Sequence, residues 1–115
     1  MIKTILGYDI IPGVTEEEYE RWLFEVHAPD LLANPYLDRL VFNKVERTVS
    51  HATGNTPIPD SLSFYRISEM HFADEAAYEQ YLQWFADNPI PAERGPAGRT
   101  AFRFYVVTTP QEVTR

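Results

Sequence analysis

Tyr19-Glu-Arg-Trp22-Leu-Phe-Glu-Val26-His27-Ala-Pro29 is the segment from which the fold of this 115-residue chain is read. Tyr19, Trp22, Leu23 and Val26 recur at helical spacing and make one apolar face. Thr15 precedes the run as N-cap and Glu18 follows at the capping-box distance, so side chains satisfy backbone donors that the first turn leaves free. At about 100° per residue, His27 falls roughly a quarter turn from the centre of the apolar face. An imidazole on that rim looks into a cleft between the helix and whatever the helix covers. Pro29 disfavours helical backbone at Ala28, so the helix is predicted to stop near that point.

Working outward, Ile2 to Ile10 alternates, with Ile2, Thr4, Leu6, Tyr8 and Ile10 on one side and Lys3, Ile5, Gly7 and Asp9 on the other. This predicts a strand, turned into the helix by Pro12-Gly13. Beyond Pro29, a connection from Asp30 to Pro35 leads to a strand predicted over Leu37 to Val49. Ser50 to Ser61, with Gly54-Asn55, Pro57 and Pro59, reads as a loop, and Leu62 to Phe72 as a third strand. Asp74 caps a second helix whose face carries Tyr78, Tyr81, Leu82 and Phe85, and Asp87-Asn-Pro89 ends it. Residues 89–99 form a second loop before a last strand, Ala101 to Thr109.

The order β-α-β-β-α-β is the split pattern of a ferredoxin-like α+β fold, with a four-stranded antiparallel sheet and two helices on one face. One domain is expected over residues 1–115. The strands carry apolar side chains on both faces, yet two helices cover only one. The other face is expected to meet a second copy, giving a homodimer. This topology places the loops 50–61 and 89–99 at one end of the sheet, and His27 at the other end, near His71 and Phe72. Loops of such length serve as lids or as arms around a partner.

Composition narrows the function classes. Apolar residues make up 44% and aromatic residues 14%, which suits a globular chain with an aromatic-lined cavity or interface. A net charge of -7 and the lack of a basic stripe argue against nucleic acid and anionic membrane surfaces. There is no cysteine, so neither disulfides nor thiolate ligands arise. The N-terminal segment reads as a strand rather than a signal peptide, and no run reaches membrane-spanning length; the expected location is the cytoplasm. His27, His51 and His71 are scattered without metal-ligand spacing, so no metal is expected.

The pattern Tyr19-x2-Trp22-x4-His27-Ala-Pro29 on the first helix of a βαββαβ chain resembles the dimeric α/β-barrel superfamily, in its EthD-like and REDY-like (HapK-like) branch. That resemblance implies a homodimer with a ligand cavity between sheet and helices in each subunit. It implies work on aromatic, polyketide- or pyrrole-type biosynthetic intermediates, without metal or organic cofactor. Members include cyclases, dehydratases and cofactor-free oxygenases, alongside several proteins of no known activity. The rival reading for this chain is a non-catalytic protein that binds or shields a reactive ligand. Some relatives bind haem, but the helix from Asp74 to Asp87 has no histidine to offer it.

By the same resemblance the strand side with Thr4, Leu6, Tyr8 and Ile10, together with Arg66, Ser68, Met70 and Phe72, is expected to face the helices and the cavity. His27 is the expected acid–base residue, since histidine alone has an unperturbed pKa near neutrality. Asp30 is the expected carboxylate that fixes its tautomer. Tyr8, Trp22, Tyr36 and Ser68 are expected to line the substrate site, the tyrosines as hydrogen-bond donors or stacking surfaces. Arg66 reads either as a clamp for a ligand carboxylate or enolate, or as half of an internal ion pair with Glu69, Asp38 or a helix carboxylate. Asp9 and Glu69 are further general-base candidates, without a telling partner in the sequence.

Overall fold

The computed structural model describes residues 1–58 and 64–115. Its elements are β1 (Ile2–Ile10), α1 (Glu16–Trp22), α2 (Ala28–Leu32), β2 (Arg39–Lys44), β3 (His51–Ala52), β4 (Thr56–Pro57), β5 (Arg66–Phe72), α3 (Glu75–Asp87) and β6 (Thr100–Thr108). Strands β2, β5, β1 and β6 lie side by side in that order, all antiparallel. With α1 and α3 packed on one face, this is the α+β ferredoxin-like arrangement expected from the element order. Register pairs Leu6 with Ser68 and Tyr8 with Arg66, so the alternation read in β1 and β5 lands Thr4, Leu6, Tyr8, Arg66, Ser68, Met70 and Phe72 in the buried layer. Thr15 accepts from the Glu18 N–H and Asp74 from the Ala77 N–H, as the two caps require.

The first helix does not stop before Pro29. A π-helical turn, Leu23–His27, joins α1 to α2, and the chain stays helical to Leu32. Proline has no N–H to give the carbonyl of Glu25, and its ring would collide with that carbonyl in an α-helix. Widening the turn by one residue relieves both problems. The Ala28 N–H reaches back to the Leu23 carbonyl, and Pro29 begins a fresh α-helical segment where no donor is needed.

Two strands are shorter than their alternation suggests. Strand β2 ends at Lys44, where its neighbour β5 begins at Arg66, and an edge strand cannot outlast its only partner. The start predicted for that neighbour, Leu62 and Ser63, falls outside the described residues. The stretch read as a loop from Ser50 contains a small ribbon, β3 with β4, reversed through Gly54 and Asn55, both at positive φ. In β6 a bulge at Arg103 shifts the pairing between Gly7 and Tyr8. Phe102 and Tyr105, which strict alternation would separate, therefore pair with Tyr8 and Leu6 on the same side.

Residues 89–99 also depart from the expected placement. They run along the first helix instead of remaining at the far end of the sheet. The Trp22 indole donates to the Arg94 carbonyl at 2.8 Å, Arg94 binds Asp30, and the Arg99 guanidinium lies 5.4 Å over the Trp22 ring. Three contacts of this kind outweigh the freedom of a solvated loop, and they bring the segment beside His27.

Candidate functional site

Between the sheet and the helices lies a cavity of about 230 Å³. Leu6 and Tyr8 from β1, Ser68 and Met70 from β5, and Tyr19, Trp22, Leu23, His27 and Leu31 from the first helix form most of it. Tyr81 and Phe85 of α3 close one side, Ile90 and Pro96 another, and the half-exposed Phe102 and Tyr105 of β6 stand at its rim. The bulge in β6 is what puts both rim aromatics on this side of the sheet.

The polar groups in the wall are mostly paired with each other. The hydroxyls of Tyr8 and Ser68 are 2.7 Å apart, as are those of Tyr19 and Thr100. The Tyr81 hydroxyl donates to the Met70 sulfur. Burial holds the phenols of Tyr8, Tyr19 and Tyr81 above the usual tyrosine range, and pushes Tyr105 up to about 12, so all four are uncharged at neutral pH.

His27 is the exception. Its Nδ1 is buried without a hydrogen-bond partner among the described residues. The ring stacks on Trp22 with centroids 4.5 Å apart and planes 17° apart. In an α-helix residues five apart point about 140° away from each other; the π turn takes up that difference and brings both rings onto the cavity face. Burial pushes the imidazole down to about 4, with the Asp30 carboxylate working against the shift. His27 is therefore neutral at physiological pH. A neutral imidazole that lines a largely apolar chamber can accept or donate a hydrogen bond to a guest.

The other anticipated site residues divide. Tyr8, Trp22 and Ser68 line the cavity with His27. Asp30, expected to orient His27, instead accepts two hydrogen bonds from Arg94, at 2.9 Å from both Nε and Nη2. A bidentate guanidinium is the stronger partner for a carboxylate than a neutral imidazole. Tyr36 sits half-buried in the turn after α2, its N–H held by Asn34, and is not part of the cavity wall. Arg66 is also outside the wall: of its possible partners the helix carboxylate wins, Glu20, at 2.7 Å, with the Phe42 carbonyl at 3.0 Å. The Tyr65 hydroxyl donates to the same carboxylate.

Asp9 receives the Tyr65 N–H and faces Arg103, and Glu69 holds Lys3, Asn43 and His71 on the opposite face of the sheet. Neither lines the cavity. The residues that sequence reasoning did not assign to the site, Tyr19, Tyr81, Thr100, Phe102 and Tyr105, carry only core or strand signals locally. A hint for Leu31 existed, because it continues the spacing of Leu23 and His27 beyond the proline.

This fold and cavity place the chain among ferredoxin-like proteins with a chamber between helices and sheet. No family model and no curated protein matches the sequence. Solved structures match its fold. HapK from Hahella chejuensis superposes with a TM-score of 0.63 at 10% identity, over 100% of this chain and 97% of that one. A DABB family protein with a ferredoxin-like fold from Mesorhizobium loti gives 0.61 at 15% identity, over 96% and 97%. An ethyl tert-butyl ether D (EthD) family protein from Bacillus halodurans gives 0.59 at 13%, over 96% and 100%. The kinship implied by the helix motif is thus matched in fold, which by itself carries no chemistry. No helix among the described residues is long and apolar enough to cross a membrane.

Proposed function

We propose that this protein takes a small aromatic ligand, of the polyketide or pyrrole type, into the cavity between sheet and helices. His27 passes a proton to or from it without metal or organic cofactor, in a cyclisation, dehydration or decarboxylation-control step. The observation that carries this reading is the buried, unpartnered Nδ1 of His27 in a wall whose other polar groups are largely paired. Leaving such an atom unsatisfied costs about 1–3 kcal/mol, a cost that a guest's hydroxyl or carbonyl group can remove. The cavity is smaller than the roughly 300–1,000 Å³ of sites for drug-sized ligands, which suits one or two rings.

A second reading, a non-catalytic protein that shelters a reactive intermediate, is favoured by the same imidazole's low pKa, since a group neutral down to about 4 is a weak base. Native mass spectrometry of the purified protein identifies retained ligand, and incubation with that ligand separates the readings. Product formation that His27→Ala abolishes while retaining the fold supports proton transfer. Ligand returned unchanged supports shelter, and turnover equal in His27→Ala removes His27 from the mechanism.

The reading includes a homodimer. The sheet face away from the helices carries half-buried Ile5, Val41, Ile67 and Phe104 and exposed Val106, and the Phe104 ring lies over Gly7 where a side chain would collide with it. Sedimentation equilibrium is expected to give about twice the 13.3 kDa chain mass, and Val106→Glu to shift it towards monomer. A monomer across the micromolar range would refute this.

A further inference from the structure

The segment beside His27 contains a residue that holds the imidazole's surroundings from two directions. Arg94 grips Asp30 through Nε and Nη2, both at 2.9 Å, and its own backbone carbonyl receives the Trp22 indole N–H at 2.8 Å. Trp22 is the surface on which the His27 ring lies. Asp30 follows His27 by three residues, and side chains at that spacing on a helix are neighbours. On either side of Arg94, Ile90 and Pro96 belong to the cavity wall.

We infer that Arg94 is a positioning residue for His27: its side chain keeps the Asp30 carboxylate away from the imidazole, and its carbonyl anchors the indole against which the imidazole is stacked. This rests on His27 being the ligand-facing group of the proposed site. The charged groups in question are few. Asp30 comes from the same helix and Glu93, Arg94 and Arg99 from residues 89–99; the Glu93 carboxylate also acts on Arg94, and Arg99 is itself engaged by the carbonyls of Gly95 and Glu93. The titratable groups sharing the cavity wall, Tyr8 from β1, Tyr19 from α1, Tyr81 from α3 and Tyr105 from β6, are neutral phenols. With Arg94's guanidinium removed, Asp30 becomes the unpaired anion beside the ring. Arg94 thereby helps to keep the imidazole that a guest meets neutral over a wider range of acid pH.

The test is an NMR titration of His27 in ligand-free protein, its resonances assigned by comparison with His27→Gln. Arg94→Ala is expected to raise the His27 midpoint by about one pH unit or more. Arg94→Lys should raise it less, because an ammonium meets the carboxylate at one point. Adding Asp30→Asn to Arg94→Ala should return the midpoint close to that of the unaltered protein. A purely structural role would lower the melting temperature without this reversal. Unchanged midpoints in both Arg94 variants, or a shift that survives Asp30→Asn, would overturn the inference. Should Arg94→Ala not fold, the same comparison is made with Arg94→Lys, with and without Asp30→Asn. Because no ligand is involved, this result stands apart from whether the retained ligand is turned over.

Discussion

Glu20→Ala is expected to lower the free energy of unfolding by about 3 kcal/mol, a large share of the roughly 5–15 kcal/mol that holds a domain folded. Arg66 is 6% exposed, and a guanidinium buried to that degree needs a compensating anion. Glu20 supplies the compensating anion at 2.7 Å, while Nε has no partner among the described residues. The Phe42 carbonyl and the faces of Phe24 and Tyr65, each 5.3 Å from the guanidinium carbon, remain after the substitution but do not neutralise it.

Removing the cation instead should be mild. Arg66→Met leaves a Glu20 carboxylate that is 28% exposed and still receives the Tyr65 hydroxyl, so less uncompensated charge is buried than in Glu20→Ala. The double variant replaces the whole pair with apolar groups, a change that is often neutral or stabilising. Urea unfolding of the two single variants and the double variant measures the coupling directly. A Glu20→Ala protein within about half a kcal/mol of the unaltered one, by the scale of surface substitutions, would show that water reaches Arg66 and would reopen it as a group available to a ligand.

Acid should destabilise this protein through His27 before its carboxylates titrate in bulk. The unfolded imidazole takes up a proton near pH 6.5, whereas the folded one stays neutral to about 4. Between those values the unfolded state binds more protons, so stability falls as pH falls. The loss approaches about 1.4 kcal/mol per pH unit and totals about 3 kcal/mol across the window. His27→Gln removes this term and keeps a polar side chain, so its unfolding free energy should hold steadier from pH 6.5 to 4. Glu69, held low first by the Asn43 hydrogen bond, adds a loss of the same sign, but below the ordinary carboxylate range and equally in both proteins. Parallel curves for the two proteins across the window would mean that the folded imidazole protonates freely.

How far the site was legible follows from the range of the forces involved. Tyr8 and Ser68 lie together on the cavity wall because a strand's alternation transmits burial from one residue to the next but one, the side itself being the one implied by the resemblance. Trp22 was found by helical spacing, and His27 by lying at the edge of that spacing. The signals did not single out a partner at Asp30, which binds Arg94, or at Arg66, where an ion pair with a helix carboxylate was one of the readings open and is the one found. Distances along the chain of 64 and 46 residues separate the pairs that formed, Asp30 with Arg94 and Arg66 with Glu20. No local pattern ranks such partners.

The sequence alone determined the order of strands and helices, the two helix caps and which strand residues share a face, because capping and periodicity are set within a turn or two of chain. Which of the two faces meets the helices was implied only by the resemblance of the helix motif. Tertiary structure decided three things. The helix runs through Pro29 on a π turn, the 89–99 segment lies against Trp22 and Asp30, and the bulge at Arg103 turns Phe102 and Tyr105 to one side. Each depends on packing between elements far apart in sequence, where the gain from burial and ion pairing overrides the local preference of proline, loop or strand.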